Sequence, residues 1–76
     1  MPRKVRQLEA DLRSAGAYSH ATEGDHTKWK HRSVPGTLIE LSGASGDDAR
    51  PYQERDLRRA LARIASAEAV QQERED

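Results

Sequence analysis

The sequence predicts an α+β domain: a helix, three consecutive strands and a second helix, with both helices on one face of a three-stranded antiparallel sheet. Three observations predict it. A segment at each end of the chain spaces its apolar residues with a helical period. Three short stretches of strand-like composition lie between them. Glycine-containing turns separate those stretches. A unit of this order buries the helices on one sheet face and leaves the other face open.

Residues 3–15 read as the first helix. Val5, Leu8, Leu12 and Ala15 form one apolar stripe at i, i+3, i+7 and i+10, with charges elsewhere. Gly16 fits the position past the helix C-terminus. Residues 17–22 form a short strand, Glu23-Gly24-Asp25 a turn, and residues 26–32 the second strand. Ser33 to Gly36, with its Pro35-Gly36 pair, reads as the next turn. Residues 37–42 form the third strand, which has the clearest apolar content in Leu38, Ile39 and Leu41. Residues 43–50 are small, polar and acidic, and read as a loop. Pro51 suits the first turn of a helix, where its missing N–H costs little. That helix runs to about Ala65 with Leu57, Ala60, Leu61 and Ile64 as its buried stripe. Residues 66–76 have no apolar spacing worth burying and are expected to fray or be disordered. The domain is therefore residues 1–65, followed by a tail of 66–76, without internal repeats.

The layout directs the side chains. Trp29 is the largest apolar group of the second strand and should face the helices, with Thr27 and His31 on its side. His26, Lys28 and Lys30 then face the open side. In the third strand Thr37, Ile39 and Leu41 are expected inside, and Leu38, Glu40 and Ser42 outside, provided no β-bulge intervenes.

Composition limits the chemistry. Of 76 residues 34% are apolar, with no Phe, one Trp and two Tyr, so the core is thin. A chain this short buries only about 60% of its unfolded surface. It has no room for a deep substrate cavity, so chemistry should sit on an open face and act on a large substrate. The absence of cysteine excludes disulfides and thiolate metal sites. No apolar run approaches the ~20 residues of a membrane span, and no signal peptide is visible. A cytoplasmic protein without membrane association is expected.

The formal net charge is zero, but it is unevenly spread. Residues 1–36 hold seven Lys or Arg against four acids, and residues 37–76 hold six Arg against nine acids. Binding to RNA is expected to be local and salt-sensitive rather than driven by a broad basic surface.

The stretch from Gly24 to His31 carries the most chemistry. Histidine can both take and give a proton near neutrality. Lys28 and Lys30 share the His26 side of the strand and suit phosphate, although such lysines also serve as solvated charges that discourage strand aggregation. Gly24 lets an anion approach the backbone. Tyr18 and Tyr52 can stack on bases, but partly buried packing is the easier role for both. His20, His26 and His31 are spaced so that no two imidazoles fall together on one element, so neither metal nor cofactor is expected. The arginines at 55, 58, 59 and 63 have helical spacing and read as a solvated face paired with Glu54 and Asp56. Arg55, Arg58 and Arg59 are candidates for a secondary RNA or partner contact. Among these signals there is no Ser/His/Asp set, phosphate-binding glycine loop or dinucleotide fingerprint.

From about Arg6 to Ile64 the chain resembles the HicA-type toxins, the small RNA-cleaving components of bacterial toxin–antitoxin pairs. The resemblance rests on Leu8, Leu12 and Ala15-Gly16, then on Gly24-Asp25-His26-Thr27-Lys28-Trp29-Lys30-His31 and Val34-Pro35-Gly36. It continues in Leu41-Ser42-Gly43, in Gly46-Asp47-Asp48-Ala49-Arg50-Pro51-Tyr52-Gln53 and in Ala60-Leu61. It implies a double-stranded-RNA-binding-domain-like α-β-β-β-α fold and translation-blocking cleavage of mRNA. His26 matches the family's functional histidine, two residues after a glycine. Asp25 departs from the Ser or Thr usual between them. The resemblance also implies a HicB-like antitoxin that covers the His26 face, with the chain a monomer alone or part of a hetero-oligomer with that partner.

The residues then suggest metal-independent transesterification. His26 would be the general acid or base, Lys28 would stabilise phosphate charge, Lys30 would position the strand, and the main-chain N–H near Gly24 would assist at the phosphate. Two other readings stay open: a non-catalytic RNA-binding module of the same fold, and a partner-binding protein that has lost activity.

Overall fold

Trp29 sits at 1% exposure between the sheet and the helices, and the fold is arranged around it. The computed structural model describes residues 2–75. Its elements are α1 (Val5–Ser14), β1 (Tyr18–Glu23), β2 (His26–His31), β3 (Val34–Ser42) and α2 (Pro51–Glu75). The three strands form one antiparallel sheet in the order β1-β2-β3, an α-β-β-β-α unit of the α+β class.

The apolar stripe of α1 is buried at Val5, Leu8 and Leu12, with Ala15 at its margin. Its first free N–H groups are taken up by the loop before α2. Val5 N–H donates to the Asp47 carbonyl at 2.9 Å and Arg6 N–H to the Ser45 carbonyl at 3.1 Å. The helix ends in a Schellman motif: Ala17 N–H donates to Leu12 O and Gly16 N–H to Arg13 O, with Gly16 at φ +91°. Arg13 reaches over the Trp29 ring, 5.2 Å from its centroid. Leu57, Ala60 and Ile64 of α2 close the core against Leu38, Ile39 and Leu41 of β3, and Leu61 packs at the edge. Among the described residues the Trp29 indole N–H has no hydrogen-bond partner.

Glu23 pairs with His26 across a two-residue turn, Gly24-Asp25, with Gly24 at φ +60°. Glycine at the first central position matches the primed turns that suit strand twist. The second connection is Arg32-Ser33, since His31 pairs directly with Val34. The Pro35-Gly36 pair, expected in a turn, lies inside β3. The step from Trp29 to His31 on β2 faces the longer step from Ile39 to Val34 on β3, so β3 bulges there. Gly36, at φ +79°, supplies the left-handed residue, and proline is tolerated on an edge strand.

This bulge corrects the expected alternation in β3. Leu38, expected outside, is buried, and Thr37, expected inside, is exposed. Ile39, Leu41, Glu40 and the β2 assignments fall on the expected sides, with His31 buried beside Trp29. A second bulge lies in β1. Ser19 pairs with Trp29 and Ala21 with Lys28, which leaves His20 as the extra residue.

The tail also differs from expectation. Helix α2 continues through Glu75, where fraying was expected from residue 66; Asp76 lies outside the described residues. Ala67 packs on the core margin, Ser33 Oγ donates to Gln71 Oε1 at 3.2 Å, and the Glu68 carboxylate lies 4.0 Å from His31 Nε2. The segment is also rich in Ala, Glu, Gln and Arg, all good helix formers.

His31 joins three elements. Its Nε2–H donates to the Ala15 carbonyl at 2.9 Å, and its Nδ1 accepts from Ser33 N–H at 3.0 Å. A Cβ at Gly16 would lie 3.2 Å from that Nε2, whereas a Cβ at Gly36 would meet open space. Gly36→Ala is expected to cost about 1–2 kcal/mol through left-handed strain alone. Gly16→Ala should cost more, because it also pushes on His31. Urea unfolding of the two variants checks the order; equal losses would contradict the role given to His31.

Candidate functional site

The open face of the sheet is built by the β2 register. Residues directly opposite across a ladder share a face. His26 is flanked by Glu23 and Ser42, Lys28 by Ala21 and Glu40, and Lys30 by Tyr18. The three sequence-predicted side chains on β2 therefore lie on one face, away from the helices. His26 and Lys28 are exposed and Lys30 is half-buried.

Two carboxylates approach the His26 ring. Glu40 Oε1 lies 3.2 Å from Nδ1, and Asp25 Oδ1 lies 3.5 Å from Nε2. These groups are about half in solvent, so the contacts orient the ring more than they stabilise the fold. The acids that could have neutralised the lysines are thus turned onto the imidazole. Neither Lys28 nor Lys30 forms an ion pair among the described residues, whose pairs involve Arg3, Lys4, His26 and His31. The space beside Gly24 is open, and nothing lies within 4 Å of a Cβ built there.

The turn that carries Asp25 is tied down by backbone. Gly43 N–H donates to the Asp25 carbonyl at 2.9 Å. Gln53 is 3% exposed and fixes the same end of the sheet to α2. Its Oε1 accepts from Arg50 N–H at 2.9 Å, and its Nε2–H₂ donates to the Ser42 carbonyl at 2.8 Å. The Tyr52 hydroxyl lies 3.4 Å from Ser42 Oγ. Beside this junction is a cleft of about 680 Å³, lined in part by Asp25, Asp47, Asp48 and Arg50.

The arginines are placed apart from this face. Arg55, Arg58 and Arg59 are exposed on α2, in the helix layer on the other side of the sheet. Arg59 lines a hollow along the β3 edge near Glu40, and Arg63 donates to the Leu38 carbonyl at 3.4 Å. The histidines do not converge. His20 is exposed in the β1 bulge, and His31 is committed to the backbone of two connections. Among the described residues no group of three or more His, Cys, Asp or Glu has the arrangement of a metal site.

Sequence reasoning missed the roles of Glu40 and Gln53. The parity of Glu40 was legible, but its contact with His26 depends on which β3 residue lies opposite. Gln53 offered a signal, since a Gln three residues after a helix N-cap can return to the cap's N–H.

The arrangement offers one exposed proton-transfer group, two unpaired cations along the same strand, and carboxylates concentrated at the histidine end. Gln53→Ala should lower stability by about 1–3 kcal/mol, because it removes a buried side chain and strands a part-buried carbonyl and an N–H. Tyr52→Phe, at a half-exposed contact, should change stability by less than about 0.5 kcal/mol. Denaturant titration of both variants would contradict this account if Gln53→Ala proved neutral.

Among known proteins, the chain matches no family model, no curated protein and no solved structure.

Proposed function

We propose that this chain is a metal-independent endoribonuclease of the HicA toxin kind, with His26 as its proton-transfer group. The observation that carries the reading is the His26, Lys28 and Lys30 row: an exposed imidazole and two unpaired lysines on one open sheet face. A face of this shape suits a long, flexible anion. RNA supplies its own nucleophile, the 2′-hydroxyl, so the protein need only move protons and balance charge.

In this mechanism the 2′-oxygen bonds to the neighbouring phosphorus and the 5′-oxygen leaves. His26 accepts the proton of the 2′-hydroxyl or donates one to the leaving oxygen. Lys28, the nearer lysine, balances charge on the phosphate, and Lys30 positions the strand. Glu40 at Nδ1 orients the ring. The same face would be the surface that a HicB-like antitoxin covers, in the cytoplasm.

One observation favours a second reading. Carboxylates beside both ring nitrogens compete with a phosphate for His26, as a non-catalytic RNA-binding module could tolerate. The two readings separate on cleavage. Induced expression should arrest growth, and co-expression of an antitoxin encoded beside it should restore growth. His26→Ala should remove the arrest and lower cleavage by purified protein about 10²–10⁴-fold, with its unfolding curve unchanged. Cleavage should persist in EDTA. Full toxicity of folded His26→Ala, or activity that requires an added divalent ion, would overturn the mechanism. RNA binding without cleavage by the wild-type chain would select the second reading.

A further inference from the structure

The bulge at His20 decides where Tyr18 points. The hairpin closes with Glu23 opposite His26, Thr22 opposite Thr27 and Ala21 opposite Lys28. A regular ladder continued from there would set Ser19 opposite Lys30 and Tyr18 opposite His31, on the side of the buried core. The extra residue shifts the register, so Ser19 faces Trp29 and Tyr18 faces Lys30. Bulges re-aim side chains in this way. The result is a tyrosine 51% exposed on the open face, beside a lysine without an ion-pair partner.

This is an unusual use of an aromatic in this chain. Only three aromatic residues are present, and only Trp29 is in the core. Tyr18 and Tyr52, expected as partly buried packing, are 51% and 44% exposed. The thin core forgoes both. Tyr18 stands on β1 beside Lys30 at one end of the row and His26 stands at the other, with Lys28 between them. The row from residue 30 to residue 26 spans about 13 Å at strand rise. Glu23 and Asp25 flank His26, and Glu40, opposite Lys28, turns its carboxylate onto the imidazole, while the ladder partner of Lys30 is the tyrosine itself.

We propose that Tyr18 is a base-stacking residue and that the open face takes single-stranded RNA. One unpaired base lies on the Tyr18 ring, the following phosphates lie along Lys30 and Lys28, and the bond to be cut lies at His26. The proposal rests on the RNA-cleaving reading and adds to it the form of the substrate. Bases inside a duplex are already stacked on their neighbours and cannot lie on a side chain, whereas single strands are held by aromatic platforms beside cations. One aromatic ring beside two successive lysines fits a nucleic acid strand, with its bases and its row of phosphates, better than a neutral peptide, which would leave the lysine charges unanswered.

Binding to a short single-stranded 2′-O-methyl oligoribonucleotide, which lacks the attacking hydroxyl, tests this by fluorescence anisotropy. The wild-type chain should bind it more tightly than a duplex of the same sequence. Tyr18→Ala should weaken single-strand binding roughly 5- to 150-fold, the range of one lost base stack. Tyr18→Phe should stay within about twofold, and both variants should unfold near the wild-type midpoint, as expected for an exposed site. Wild-type binding that Tyr18→Ala leaves unchanged would overturn the role of Tyr18 while sparing the RNA reading. So would an equal loss in Tyr18→Phe, which would implicate the hydroxyl rather than the ring. Tighter binding of the duplex would overturn the single-stranded substrate. A wild-type chain that binds neither oligonucleotide would overturn the RNA reading itself and leave the face to a protein partner.

Discussion

Burial of Trp29 is the constraint on which the other placements depend. The chain has no second large aromatic for its core, so the central strand must turn this ring toward the helices. Strand alternation then leaves His26, Lys28 and Lys30 no choice but the opposite face. Arg13 covers the ring from α1, while the indole N–H has no partner among the described residues. A buried donor left unsatisfied costs about 1–3 kcal/mol.

The central strand was legible in the sequence because β2 is regular between two neighbours that are not. Period-2 reasoning placed every residue from His26 to His31 correctly. It failed for Leu38 and Thr37, where β3 bulges at Gly36. It gave no assignment for Tyr18, which lies beyond the bulge at His20. A bulge adds a residue without a strong composition signal, so only the register reveals it. The helical tail was missed for a different reason. The segment has no apolar spacing, yet Ala67 packs on the core margin, Glu68 lies near His31 and Gln71 accepts from Ser33. The candidate site was half legible. Its histidine and lysines follow from parity, whereas Glu40 and Gln53 act through pairings that need the fold.

The loop of residues 43–50 shows how the site end is made firm without core volume. It is polar and carries two adjacent aspartates, which suggests mobility from composition alone. Its carbonyls instead accept the first N–H groups of α1, and its Gly43 N–H closes on Asp25. Lys4 pairs with Asp48, and Ala49 is buried. Backbone groups that a helix start and a turn would otherwise leave to water satisfy one another here. The turn beside His26 is therefore held by a backbone hydrogen bond from the β3–α2 loop rather than by burial of its own side chains.

A net charge of zero is compatible with a local anion site once distances are considered. Lys28 and Lys30 are two residues apart, about 7 Å along the strand, which is within the ~8 Å screening length at physiological salt. A phosphate beside Lys30 would feel both lysines and, more distantly, the Glu40 that faces Lys28, whereas one beside His26 would feel Glu40 and Asp25 at the imidazole itself. The face is thus graded from an attractive end, where Tyr18 stands, to a contested end, where the imidazole stands. For the proposed RNA strand, this grading would assign affinity to the tyrosine end and proton transfer to the histidine end. Strong phosphate binding directly at His26 would hold substrate and product alike, and it would add nothing to the rate. On that reasoning the carboxylates near His26 need not oppose catalysis, because they limit binding at the one position where tighter binding would not help.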